Sequence, residues 1–148
     1  MDPLKRHPRF QSLADYLASK APPGKLPGRH DIDPVEIPRL LPYIILVDVV
    51  PVDDRWRYRY RLIGTAVVEK TTIDVTGRWV EDVYPEDAAK AIMEAYDSVV
   101  RTHTPHHWSY VIRVPGREHI GFERVIFPLA SDGKTVDMLI GIHAFNDP

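Results

Sequence analysis

"YIILVDVVPVDDRWRYRYRLIG", residues 43–64, holds the two clearest strands of the chain. Residues 43–52 are apolar and β-branched, interrupted by Asp48 and Pro51. Asp53 and Asp54 supply a turn, and residues 55–64 alternate with period two. Arg55, Arg57, Arg59 and Arg61 therefore fall on one face of the second strand. Trp56, Tyr58, Tyr60 and Leu62 fall on the other. So short a turn makes the pair an antiparallel hairpin.

Three more strands are expected after a helix. "PEDAAKAIMEAYDSVVRT", 85–102, opens with proline and carries Glu86 and Asp87 at the positive end of the helix dipole. Ala88, Ala89, Ile92, Tyr96, Val99 and Val100 line one face of it. The strands follow at 107–114, 119–130 and 135–145, joined by the turn sequences "PGRE" and "SDGK". Short helices and loops fill 65–84.

Toward the N-terminus, nine of the fourteen prolines precede residue 54. Proline fixes φ and cannot donate a backbone hydrogen bond, so 22–42 reads as turns and short helical pieces. One such piece is expected at 35–41, with Asp33 as N-cap and Pro34 at the first helical position. Before this segment, residues 8–20 form a helix with an apolar stripe of Phe10, Leu13, Ala14 and Leu17. The division expected is an N-terminal helix and linker at 1–25 and a main domain at 26–148. Strands that are grouped, and do not alternate with helices, argue for an α+β fold with an antiparallel sheet.

Composition narrows the function. The chain has 148 residues, enough for one domain with a core. Its net charge of −2 lacks the basic surplus that phosphate neutralisation demands of a general nucleic-acid binder. The arginine stripe is thus expected to be a charged sheet edge with its aromatics in the core, and nucleic-acid binding through Arg55–Arg61 is the least favoured reading. With no cysteine there is no disulfide, thiolate metal site or cysteine nucleophile. The longest apolar run is too short to span a membrane, and residues 1–10 lack the apolar stretch of a secretory signal. The expected location is the cytoplasm, with no membrane partner.

This order of elements resembles a PAS domain: two strands, a helical segment, a longer connecting helix, then three antiparallel strands. "LPGRHDIDPVEIPRLLPYIILVDV", "YRYRLIGT", "TGRWVEDV" and "FERVIFPLASDGKTVDMLIG" resemble the stations of a short, mostly single-domain bacterial PAS-like family, first catalogued as a domain of unknown function. The likeness spans about 26–145. It implies a five-stranded antiparallel sheet with the helical segment on one face, and the strand at 55–64 on an edge. It implies a sensory or interaction domain that is not an enzyme and acts by protein contact. No kinase, cyclase or DNA-binding segment fits in the other residues.

Candidate chemistry is sparse. His103, His106 and His107 cluster in "HTPHHW", but His106 and His107 would face opposite sides of a strand, so no metal site is expected. Light-sensing PAS relatives need a cysteine for their flavin adduct, so a covalent adduct is excluded. Haem-binding relatives place a histidine on the connecting helix, and 85–102 has none, which disfavours haem. Beyond that the cofactor is open. Asp48, Glu123, Arg124 and His143 interrupt apolar strands, and each needs a partner or a purpose. The resemblance places Trp79, Tyr96, Trp108 and Tyr110 around the cavity between helices and sheet, where Arg124 or His143 would meet the polar end of a small hydrophobic or anionic ligand. Phe10, Leu13 and Leu17 are expected to form a homodimer seam or a surface for a signalling partner. The rival fold is a cone-shaped α+β lyase or isomerase, which would need His143 or His107 bonded to a carboxylate inside a cavity.

Overall fold

The computed structural model describes residues 2–113 and 119–146. The strands are β1 (Ile44–Val52), β2 (Arg55–Ile63), β3 (His106–Arg113), β4 (His119–Leu129) and β5 (Met138–Asn146). They form one antiparallel sheet in the order β2-β1-β5-β4-β3. The helices are α1 (Pro8–Lys20), α2 (Thr65–Thr71), α3 (Val80–Val83) and α4 (Glu86–Thr102). The turn "PGRE" lies outside the described residues. "SDGK" closes through Asp132 Oδ1, which accepts from the backbone N–H groups of Lys134 and Thr135 at 2.8 and 2.7 Å.

Two local expectations need correction. Residues 35–41 do not form one helix; 3₁₀ turns stand at Pro34–Glu36 and Leu41–Tyr43. Pro38 interrupts the run and removes a helical donor, although Asp33 caps the first turn as its sequence suggests. The alternation of β2 also slips once. Leu46 pairs with Leu62 but Val47 pairs with Tyr60, so Arg61 is an extra residue in a β-bulge. The bulge moves Leu62 off the aromatic face, and it is left exposed.

Two cores flank the sheet. The inner one packs α4 on Ile45, Val47, Val49, Tyr58, Tyr60, Ile126 and Leu139, with Tyr96, Val99 and Val100 from the helix. Gly141 sits among these residues because a Cβ there would lie 2.5 Å from Ile126 Cδ1. The outer core packs α1 on Ile44, Leu46, Val125, Phe127, Ile140 and Ile142. Phe10 and Leu13 are fully buried there and Leu17 nearly so. The apolar stripe of α1 therefore covers its own sheet, which corrects the expectation that these side chains form a dimer seam. Sheet faces built of Ile, Val and Phe need apolar cover, and α1 is the nearest to hand.

The β2 edge is partly closed. Tyr60 N–H donates to the Arg78 carbonyl at 3.0 Å and Gly77 N–H to the Tyr60 carbonyl at 2.6 Å, giving a bridge between Arg59 and Trp79.

Candidate functional site

Strand pairing alone builds the site. Arg124 of β4 lies directly opposite Trp108 of β3 on one side and His143 of β5 on the other. Directly paired residues share a sheet face, so Trp108, Arg124 and His143 form a row across three strands. Positions two residues away add His106, Tyr110, Phe122 and Phe145 to that face. The face is the inner one: α4 lays Tyr96 over it, with the Arg124 guanidinium carbon 5.3 Å from the Tyr96 ring and 5.1 Å from that of Trp108.

The row is buried yet unsatisfied. Arg124 and His143 are each only 4% exposed. Among the described residues Arg124 has no ion pair and no hydrogen bond, and its Nη1 has no partner. The Nδ1 atoms of His143 and His106 are also buried without partners. The fourth such atom is Oε2 of Glu81, whose other carboxylate oxygen pairs with Arg57. An unpaired buried cation costs several kcal/mol, and cation–π contacts return about 0.5–2.

The electrostatics follow from burial and from the guanidinium. Burial, and then Arg124, push His143 down to about 3, against a hydrogen bond to the Tyr43 backbone. His106 is lowered by burial, then by Arg124 and His107. Tyr110, Tyr84 and Tyr60 are raised, in each case mainly by burial. At neutral pH the ring groups are therefore uncharged and Arg124 carries the charge of the site. Rings fill the space around it: Tyr110 stacks on Phe122 at 5.2 Å, Phe122 meets Phe145 edge-on at 5.0 Å, and the Tyr60 and Tyr84 hydroxyls lie 3.5 Å apart. A groove of about 490 Å³ between α4 and β3 has His106 and Trp108 in its wall, one ring away from Arg124.

The structure thus gathers Tyr96, Trp108, Tyr110, Arg124 and His143, and separates Trp79 from them. Trp79 lies at the β2 edge, with the guanidinium carbons of Arg57 and Arg59 at 3.9 and 5.2 Å from its ring. The backbone bridge to Arg59 holds it there. His106 was weighed in the sequence only as a metal ligand, and Phe122 was not singled out. Period two would have found both, because each lies two strand positions from a residue already singled out.

The outer face is charged but paired. Asp48 accepts from Arg61 Nε at 3.1 Å and Arg59 Nη2 at 3.3 Å. With Arg57 on Glu81, three of the four stripe arginines are held by carboxylates. Glu123 takes hydrogen bonds from Arg6 and from His107 Nε2, the latter at 3.0 Å. His107 thus does meet a carboxylate, but beneath the N-terminal segment, with Arg6 on the same oxygen and Phe10 packed edge-on to the imidazole. Among the described residues no group of three or more metal-ligating side chains comes together, and no helix is long and apolar enough to cross a membrane.

A profile described as PAS domain matches residues 5–144. The chain belongs to the PAS domain family. Its family match includes α1, which lies in the outer core. Solved structures with the same fold include a light-oxygen-voltage (LOV) domain studied with a flavin analogue, at 14% identity and a TM-score of 0.54 over 76% of this chain and 83% of that one. Another is the LOV domain of a blue-light activated histidine kinase from Erythrobacter litoralis, at 16% identity and a TM-score of 0.52 over 73% and 99%. A PAS domain from Colwellia psychrerythraea matches at 9% identity and a TM-score of 0.50 over 74% and 93%. No curated protein matches the sequence. The five-stranded antiparallel sheet of this PAS domain is the sensory fold that its resemblance implied.

Proposed function

We propose that this PAS domain senses a small anionic molecule at Arg124 and reports its occupancy by contact with another protein, either a signalling partner or a second copy of itself. One observation carries the reading: Arg124, a residue 4% exposed on the helix-covered face of the sheet, has a buried Nη1 without a partner and no anion opposite it among the described residues. Buried charges are paired or become paired on binding. An entering carboxylate or similar anion would supply the missing charge, and the apolar rings of Tyr96, Trp108 and Phe122 would flank its body. Among the described residues no metal-ligating cluster accompanies Arg124. The paired state of the stripe arginines speaks against nucleic acid.

Thermal unfolding in the presence of a panel of small carboxylates tests this, with chloride as the control salt. At least one acid should raise the midpoint of the parent and leave Arg124→Met unmoved. Equal responses of parent and variant to every acid would overturn the reading. Native mass spectrometry of freshly purified protein should find an acid bound to the parent and absent from the variant.

A further inference from the structure

The two ends of the sheet are defended unequally. β2 carries Arg55, Arg57, Arg59 and Arg61, and residues 77–79 bond to the backbone of its Tyr60. β3 ends the other side. Among the described residues, no backbone other than that of β4 bonds to residues 106–112. No Lys, Arg, Asp or Glu stands between Arg101 and Arg113. Sheets blunt an open edge with charges, proline or a covering segment, and 106–112 has none of these. Ser109 is exposed there, and Val111 is exposed to 64%.

A groove of about 490 Å³ runs along the same edge. Four consecutive residues of β3, 106–109, line it. Alternate residues of a strand face opposite sides of the sheet, so a space that meets all four lies against the strand's edge. Ala91, Ala95 and Ser98 of α4 form the opposite wall, and their short side chains leave room for those of an added strand.

Whatever pairs with β3 must itself bring an open edge. A second copy brings one of equal length and equally free of formal charge, and the contact is then isologous. With the two-fold axis at Ser109, residues 106–112 of each copy lie opposite one another. Trp108 faces the second copy's Tyr110 on both sides of the axis, a favourable cross-strand pair. Ser109, the smallest side chain of the seven, stands where two identical residues meet. An axis at Tyr110 would instead set position 113, an arginine, opposite His107 and lose both Trp108–Tyr110 pairs.

We infer that β3 is a docking edge for a second copy of this chain, joined antiparallel through residues 106–112 about Ser109 into one continuous sheet. The contact between copies in the proposed function would gain a defined surface. The inference rests on the open edge and not on Arg124, and it is tested without added acid, so either reading can fail while the other stands.

Sedimentation up to high micromolar concentration should show the parent dimerising. The double change Ser109→Lys and Val111→Lys places charges on exposed positions of the edge and should weaken the dimer by about tenfold or more. The chain has no cysteine, so a single introduced one reports its own neighbour. Ser109→Cys should cross-link the dimer on oxidation. Val111→Cys should not, because its two copies would lie about 13 Å apart along the strands, beyond disulfide reach. A parent that stays monomeric, or a dimer that the lysines leave intact, would overturn the inference. Cross-linking through Val111→Cys and not through Ser109→Cys would overturn the register. The cysteine pair decides the question even where the lysine variant does not fold.

Discussion

Glu123 and Arg124 are consecutive residues of β4, and both are almost fully buried. Glu123 points to the outer face, where Arg6 and His107 share its carboxylate. Arg124 points to the inner face, where no described residue pairs with it. One residue of strand separates a satisfied charge from an unsatisfied one. Burial alone therefore does not distinguish the two residues; the presence of a partner does. The outer face behaves as a fixed seam that ties the N-terminal segment to the sheet. The inner face carries a standing cost that an anion would remove.

The comparison breaks most severely at the seam. Phe10→Ala should destabilise the domain by about 3–5 kcal/mol in urea unfolding, because a fully buried aromatic of the outer core is deleted. For the same reason Leu13→Asp should yield unfolded protein. A folded, fully stable variant of either kind would show that α1 is not part of the core.

Acid should expose the inner face next. The folded pKa of His143, about 3, lies below its unfolded value near 6.5, so only the unfolded state takes up the proton between them. Stability from this group is complete above about pH 6.5 and falls by up to about 1.4 kcal/mol per pH unit below it. Over the first two units that is roughly 2–3 kcal/mol. His143→Phe should flatten this limb, leaving a shallower slope from His106 and His7, which burial also lowers. An unchanged slope in chemical denaturation between pH 6.5 and 4.5 would refute the assignment.

The sharpest test sets the two neighbours against each other. Arg124→Met, assayed without ligand, should raise stability by about 2 kcal/mol, because an uncompensated buried cation is replaced by an apolar chain. Glu123→Gln should lower it by about 1 kcal/mol, because two charge-assisted hydrogen bonds weaken. Glu123 also gives a second, lower acid step. Burial acts to raise its pKa, but the hydrogen bonds from Arg6 and His107 outweigh it, and the net shift is downward. Its contribution is present above the ordinary carboxylate value and lost as pH falls through the depressed one. Changes of the same sign in the two variants would remove the distinction between the faces.

Much of this was legible in the residues. The hairpin at 43–64 and the long helix at 85–102 read directly, because period two and period 3.6 are strong signals over such lengths. Arg124 and His143 stood out as charged or titratable groups within apolar strands. Their opposition was not legible, because it depends on the β4–β5 register across a turn. The fate of Trp79 was hidden for a similar reason: a backbone bridge outside the main strands fixes it. Leu62 was misplaced by a single inserted residue, which no alternation pattern announces. Phe10, Leu13 and Leu17 read correctly as a stripe that must be covered, but sequence could not say by which copy of the chain.

The sheet has two end strands that differ in one respect. Residues 77–79 lie along β2 and take up part of its backbone hydrogen bonding, and the arginine stripe runs beside them. β3 ends the sheet on the other side, with Val111 exposed. Edge-to-edge association needs a free ladder on each participant. Residues 77–79 occupy the edge groups of Tyr60 alone, so β2 is a hindered edge and β3 the more open one, and a second copy adding a strand would meet β3 first.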